Sequence, residues 1–236
     1  MSYLVAVEGA DGAGKATAAK NVRNILLERG LKATVISFPR YRETVGGVCL
    51  GEFLSGRMPA QVTPQAAAVL YALDRLESRS MIEAAQRSND LVIFDRYIAS
   101  NVAYQAAKVA AHEVKAMMRW IVDLETDTFG LQRPNLNIYL DTPLETAMEL
   151  MARKNVRPYT NVAFDKHEGD LGLQRRVREN YLDLAGDSLL SPWAIVVTVH
   201  AGKLRQPTDI ATEIVTLIIN DRNRHVKSRL ASTLSQ

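Results

Sequence analysis

The segment Gly9-Ala10-Asp11-Gly12-Ala13-Gly14-Lys15 constrains this chain more than any other. It matches GxxxxGK and lies between an apolar run, Tyr3–Val7, and a helical pattern over Lys15–Arg29 in which Ala18, Val22, Ile25 and Leu26 share a face. A strand that feeds such a loop into a helix is a phosphate-binding unit. The glycines let successive backbone N–H groups point inward around phosphate oxygens. The helix N-terminus behind them adds partial positive charge, and Lys15 carries a mobile point charge to the terminal phosphates. One rule is broken. The motif normally continues with Ser or Thr, whose hydroxyl ligates Mg²⁺, but here Ala16 follows and Thr17 comes one place later. Thr17 points about 100° away around the helix, so it cannot replace the missing ligand. Either water and carboxylates complete the metal shell, or the activity is impaired.

The rest of the chain alternates strand and helix patterns. Strands are predicted over Tyr3–Val7, Ala33–Phe38, Leu91–Phe94, Asn135–Leu140 and Ala194–Val199. Helices are predicted over Lys15–Arg29, Val45–Leu54, Pro64–Gln86, Ile98–Ala110, Glu113–Phe129, Pro143–Met151, Leu171–Leu184 and Thr208–Ile219. This rhythm means βαβ units and a parallel sheet covered on both faces. The expected fold is a P-loop NTPase, a three-layer α/β/α sandwich on five parallel strands. No repeat or linker divides the chain, so one domain is expected over 1–221. A loop-like lid is expected at about 152–168, where Pro158 interrupts a stretch without apolar period. Residues 222–236 read as a flexible basic tail.

In parallel α/β sheets ligands bind beyond the carboxyl ends of the strands. Asp95-Arg96-Tyr97 stands at such an end, so Asp95 should face the same crevice as the phosphate loop. Asp95 could hold Mg²⁺ directly or through water, and Arg96 could grip a phosphate bidentately. Phe38-Pro39-Arg40-Tyr41 follows the second strand, at another carboxyl end. Tyr71 and Arg75, four apart on one helix face, could stack on a base and bond to its edge. Asn101 offers an amide, which pairs with both donors and acceptors on a base. Taken singly, each of these residues is more often core or surface filling. Their joint placement argues for a nucleotide acceptor.

The segments VEGADGAGK, SFPRY, YALDR and DRYIASNVAY occur in the order and at the spacing of the thymidylate kinases, and the chain resembles the mycobacterial-type bacterial branch of that family. The resemblance extends to about Leu184, is weak through Val109–Leu131 and the lid, and is absent in the last fifteen or so residues. It implies phosphoryl transfer from ATP to dTMP with Mg²⁺, and a homodimer. ATP would be held by Gly9, Ala10, Asp11, Gly12, Ala13, Gly14, Lys15, Ala16 and Thr17. Asp11 would approach the deoxyribose 3′-hydroxyl and Mg²⁺, with Phe38 and Arg40 beside the acceptor and Tyr41 near its phosphate. Tyr71 would stack on thymine, and Arg75 and Asn101 would read its edge. Arg96 would hold the acceptor phosphate, and Tyr104 would crowd the 2′ position. Glu168 aligns with a lid-side acid near the metal. Gly12 stands where some members carry an arginine, which leaves the lid residues Arg153 and Arg157 to clamp the transferring phosphate. A relative in this branch also lacks the hydroxyl at the position of Ala16.

Composition narrows the alternatives. Over 236 residues, 47% hydrophobic and 23% charged leave room for an ordinary core, with no need of disulfides. Cys49 is the only cysteine, which excludes a disulfide framework and a thiolate metal site and suits a cytoplasmic setting. The N-terminus lacks a signal-peptide pattern, and no window has the roughly 18 apolar residues of a membrane helix. The net charge of +3 is too small and scattered to call for nucleic acid. His112, His167, His200 and His225 are dispersed, unlike a hydrolase metal cluster. Another nucleotide or deoxynucleoside kinase would share the loop but would not need Tyr104 beside Asn101. A non-catalytic nucleotide-binding subunit draws support only from Ala16, against the retention of Lys15, Asp95 and Arg96.

Overall fold

The structure, a computed structural model, describes residues 2–152 and 170–234, with side chains through Val226. Its centre is a sheet of five parallel strands: β1 (Tyr3–Glu8), β2 (Ala33–Ser37), β3 (Leu91–Asp95), β4 (Leu136–Asp141) and β5 (Trp193–Val197), in the order β2-β3-β1-β4-β5. The period-two alternation of each strand sorts its side chains between two cores. In β1, Leu4 and Ala6 enter one core while Tyr3, Val5 and Val7 enter the other. In β3, Val92 and Phe94 part in the same way from Leu91 and Ile93.

Helices α1 (Lys15–Glu28) and α9 (Pro207–Leu234) cover one face through Ala18, Val22, Leu26, Ala211, Ile214 and Ile218. The other face carries α3 (Pro64–Glu77), α4 (Arg79–Ser88), α5 (Ile98–Ala106), α6 (Val114–Asp123) and α8 (Leu171–Gly186), with α2 (Val45–Leu54) packed on α3. The short α7 (Leu144–Ala152) follows β4. A two-residue hairpin pair, Val199–His200 with Lys203–Leu204, follows β5. The expected three-layer architecture is therefore present.

The differences are local. The predicted helix over Pro64–Gln86 is two helices, because Ser78 breaks it. The Ser78 hydroxyl donates back to the Asp74 carbonyl at 2.8 Å and accepts from Arg40 Nη1 at 3.0 Å. The predicted helix over Glu113–Phe129 ends in a π-helical turn over Leu124–Thr128, closed by Phe129 N–H on the Leu124 carbonyl at 2.9 Å. The last helix does not stop at Ile219. It continues to Leu234, so residues 222–234 are helical rather than an irregular tail. Tyr3 Oη donates to Asp221 and its ring meets His225 edge-on, which fastens the start of this extension to β1. Arg153, Arg157 and Glu168 lie outside the described residues, as does the expected lid beyond Ala152.

Candidate active site

β1 and β3 are neighbours and run parallel, so Gly9 and Asp95 leave the sheet side by side at its carboxyl edge. Two glycines shape the loop between them. Gly12 has φ +81°, and a Cβ there would lie 2.1 Å from the Ala147 carbonyl oxygen of α7 and 2.9 Å from Met151 Cγ. Gly14 has φ +84°, with open space around it, and caps α1. Lys15 is buried and its ammonium donates to the Ala10 carbonyl at 2.7 Å, so its charge already lies within the loop. Ala16 and Thr17 are exposed on the first turn of α1.

Arg96 adopts φ +68°, a left-handed conformation that costs a non-glycine residue on the order of 1–2 kcal/mol. The turn aims its guanidinium at the loop. Nη2 meets Asp11 Oδ1, Nη1 reaches Ser100 Oγ at 3.4 Å, and the group lies 5.4 Å from the centre of the Tyr104 ring. Asp11 is also held from α8. Gln174 Nε2 donates to Asp11 Oδ2 at 3.1 Å, and Gln174 Oε1 accepts from Asp11 N–H at 3.3 Å. Burial alone would raise the Asp11 pKa, but Arg96 and then Lys15 outweigh it and hold the carboxyl well below its usual range. Burial, followed by the Asp11 charge, pushes the Tyr104 phenol far up.

Glu8, which sequence reasoning missed, is fully buried beneath this group. It accepts from Tyr97 N–H at 2.8 Å, Ser100 Oγ at 2.6 Å and Tyr181 Oη at 3.0 Å. Burial raises its pKa, and those hydrogen bonds and Arg96 oppose the rise. Asp95 is half-buried, and its carboxylate accepts a long 3.4 Å contact from Ser37 Oγ.

The turn that follows β2 is assembled around a second buried acid. Asp74 accepts from Arg40 N–H at 3.0 Å and from the Thr44 hydroxyl, while Thr44 Oγ1 caps α2 by accepting from Gly47 N–H at 2.9 Å. These contacts fix the turn that carries Arg40 and Tyr41. Arg40 itself pairs with Glu43. Phe38 is buried 6.1 Å from Tyr97, with the Arg75 guanidinium 6.0 Å from its ring. Tyr71 lies one turn before Arg75 and is half-buried.

Arg75 and Asn101 are deeply buried, 1% and 2% exposed, and meet a third acid that sequence reasoning also missed. Glu125, on the π-helical turn, receives Arg75 Nε at 2.6 Å, Arg75 Nη2, and Asn101 Nδ2 at 2.8 Å. Burial works against the Arg75 charge, and Glu125 overrides it to raise the pKa. Asn101 Nδ2 also donates to the Ala68 carbonyl at 3.0 Å, while Asn101 Oδ1 is buried without a hydrogen-bond partner among the described residues. One turn along α5, Gln105 Nε2 is likewise buried without a hydrogen-bond partner among the described residues. Residues of α3 and α5 thus meet at Glu125, and Tyr104 of α5 lies against Arg96, which holds Asp11 of the phosphate loop.

Comparison with known proteins agrees. The thymidylate kinase family model matches residues 7–197. The thymidylate kinase of Mycobacterium tuberculosis is 32% identical over 203 residues, 85% of this chain and 94% of that protein. A probable thymidylate kinase of Pyrococcus abyssi is 34% identical over 188 residues, 78% of this chain and 82% of its own. A solved structure of thymidylate kinase from Candida albicans shares the fold, with a TM-score of 0.68 at 24% identity over 94% of this chain and 93% of that one. With a phosphate loop between β1 and α1, a family model matched over residues 7–197 and relatives covering most of its length, the chain belongs to the thymidylate kinase family.

Proposed function

We propose that the chain transfers the γ-phosphoryl group of ATP to dTMP, giving dTDP and ADP, and that Asn101 presents the acceptor that recognises the base. The observation that carries this reading is the Asn101 amide. Its NH₂ group is committed to Ala68 and Glu125, so its buried, unpartnered oxygen is what remains for a ligand. An acceptor there suits the N3–H of thymine or uracil and opposes cytosine, whose N3 is itself an acceptor. A buried group left unpaired discriminates strongly, because the wrong ligand leaves it unsatisfied. The unpartnered Gln105 donor suits a base carbonyl.

In the transfer, an oxygen of the acceptor phosphate attacks the γ-phosphorus while the bond to the β,γ-bridging oxygen breaks. Catalysis of this kind is positioning and charge neutralisation. Lys15 would move from the Ala10 carbonyl to the terminal phosphates, and Arg96 would hold the acceptor phosphate. Asp11, kept ionised by its neighbours, would orient Arg96 and approach the sugar hydroxyl. Tyr71 would stack on the base, and Tyr104 would occupy the space a 2′-hydroxyl needs. The contact between Gly12 and α7 supports a clamp supplied by Arg153 or Arg157 rather than by the loop.

Asp95, at the carboxyl end of β3, would hold Mg²⁺: among the described residues its carboxylate has one long hydrogen-bond contact, to Ser37. Mg²⁺ is commonly held by one or two carboxylates plus phosphate oxygens and water, which accommodates Ala16. The two Asp11 oxygens already meet Arg96 and Gln174, so Asp95 is the better-placed ligand. The ion would neutralise charge on the transferring group.

A homodimer is supported by exposed Val45 and Val48 on α2 and Val69 on the adjacent α3; sedimentation gives its mass. No described helix is long and apolar enough to cross a membrane, and a cytoplasmic setting suits the single cysteine. The test of the reaction is a screen of nucleoside monophosphates with ATP and Mg²⁺. dTMP should turn over best and dUMP less well. Robust turnover of dCMP or AMP, with none of dTMP, would refute it.

A further inference from the structure

We infer that Glu125 is a positioning residue for base selection: its buried carboxylate fixes which end of the Asn101 amide faces the acceptor. The inference rests on the reading of this crevice as a thymine site. An asparagine amide is nearly symmetric in shape, so its orientation is decided by its partners. On one side of Asn101 stand two groups that only accept, the Ala68 carbonyl at 3.0 Å and Glu125 Oε1 at 2.8 Å. Both demand the NH₂ end, and the flipped amide would set its oxygen against two other oxygens. The Asn101 oxygen is therefore left for the base.

Glu125 is itself held by a group that only donates. Arg75 grips it through Nε and Nη2, so neither carboxylate oxygen can turn away. The π-helical turn supplies the placement. The extra residue in its i to i+5 hydrogen bonding brings Glu125 inward at zero exposure, between α3 and α5, while its neighbours Asp127 and Thr128 remain exposed. A single chain of contacts thus runs from Arg75 through Glu125 to Asn101. Glu125 acts on the base only through these two residues.

Glu125→Gln tests the inference, because it alters hydrogen-bond polarity with little change of shape. Arg75 donates to both carboxylate oxygens, and Asn101 Nδ2 shares Oε1 with Arg75 Nη2, so the NH₂ group of the substituted side chain meets an Arg75 donor at either end. Where it takes the place of Oε1 it also meets Asn101 Nδ2, and Ala68 alone then holds the NH₂ end of Asn101. The amide is released to present its NH₂ group to the base in part of the population, which suits cytosine N3 and opposes thymine N3–H. The measurement is kcat/KM for dTMP and for dCMP, alongside ATP affinity and thermal unfolding. The expected result is a fall of at least about tenfold in the dTMP-to-dCMP ratio, carried mainly by KM, with ATP affinity unchanged. Glu125→Asp keeps the buried charge for Arg75 but does not reach both partners, and it should lower the ratio by a smaller factor. If Glu125→Gln does not fold, Glu125→Asp decides alone. A ratio within about twofold of wild type in every variant that folds would overturn the inference. Wild-type turnover of dTMP, measured first, separates that outcome from failure of the thymine-site reading.

Discussion

Gly12→Ala, compared with Gly14→Ala, tests how the phosphate loop is built. Both glycines sit in the left-handed region, at φ +81° and +84°, so an alanine at either carries a similar conformational cost of about 1–2 kcal/mol. Their surroundings differ. A Cβ at 14 meets nothing within 4 Å, whereas one at 12 lies 2.1 Å from the Ala147 carbonyl oxygen and 2.7 Å from its carbon. Ordinary contact begins near 3.4 Å, so α7 must withdraw by about 1.3 Å at its backbone. Forcing an extra methyl into a packed site typically costs a further 1–3 kcal/mol or so. Gly12→Ala should therefore be less stable than Gly14→Ala by about that margin, read as the difference in unfolding free energy by urea titration without ligand. It should also raise KM for ATP more, because α7 displaces the loop as it moves. Equal destabilisation of the two variants would refute the close approach of α7.

Three further outcomes follow from the site. Lys15→Ala should lower kcat by about 10²–10³ while dTMP affinity, measured by calorimetry, changes little; an unchanged kcat would remove Lys15 from the chemistry. Asp74→Asn should destabilise the protein by about 1–3 kcal/mol and raise KM for dTMP more than KM for ATP, because Asp74 holds the Arg40–Thr44 turn; a normal KM for dTMP would show that the turn does not shape the acceptor site. The Asp11 carboxyl is held low by Arg96 and Lys15 against burial, so the stability it contributes is present above its unfolded pKa of about 3.9 and is lost as pH falls through its depressed folded value. Asp11→Asn should therefore lower turnover without moving the acid limb of the pH–rate profile between about pH 5 and 8. A shift of that limb would mean that Asp11 titrates there.

The sheet was legible because its determinants are local. Each of the five strands was a short apolar run, and period-two alternation alone divides Leu4 and Ala6 from Val5 and Val7. The loop was legible because Gly12, Gly14 and Lys15 are adjacent in sequence. Helix ends were harder where a side chain from elsewhere sets them. Ser78 breaks the α3–α4 run while bonded to Arg40, 38 positions away, and the extension of α9 is tied to Tyr3 through Asp221, 218 positions away. The buried acids show the same limit. Glu8 precedes the loop, Asp74 sits within YALDR and Glu125 lies in a mixed helical stretch, and each looks like a surface charge. Their partners are Tyr181, Arg40 and Arg75, which only the folded chain brings to them. A signal did exist for Asp74 and Glu125, since an acid inside or beside an otherwise apolar helix face asks for a buried cation or donor.

The central claim, that a buried acceptor on Asn101 reads N3–H of the base, is tested most directly by turnover of 3-methyl-dTMP against dTMP with the wild-type protein. The methylated base keeps both carbonyls and the 5-methyl group but lacks the one proton that, on this proposal, Asn101 Oδ1 would receive. Rejection of such an analogue by a hydrogen-bonding site runs to about 10⁴, so kcat/KM should fall by two to four orders of magnitude or so, with dUMP, which retains the proton, falling far less. Comparable kcat/KM for dTMP and its 3-methyl derivative would contradict the account.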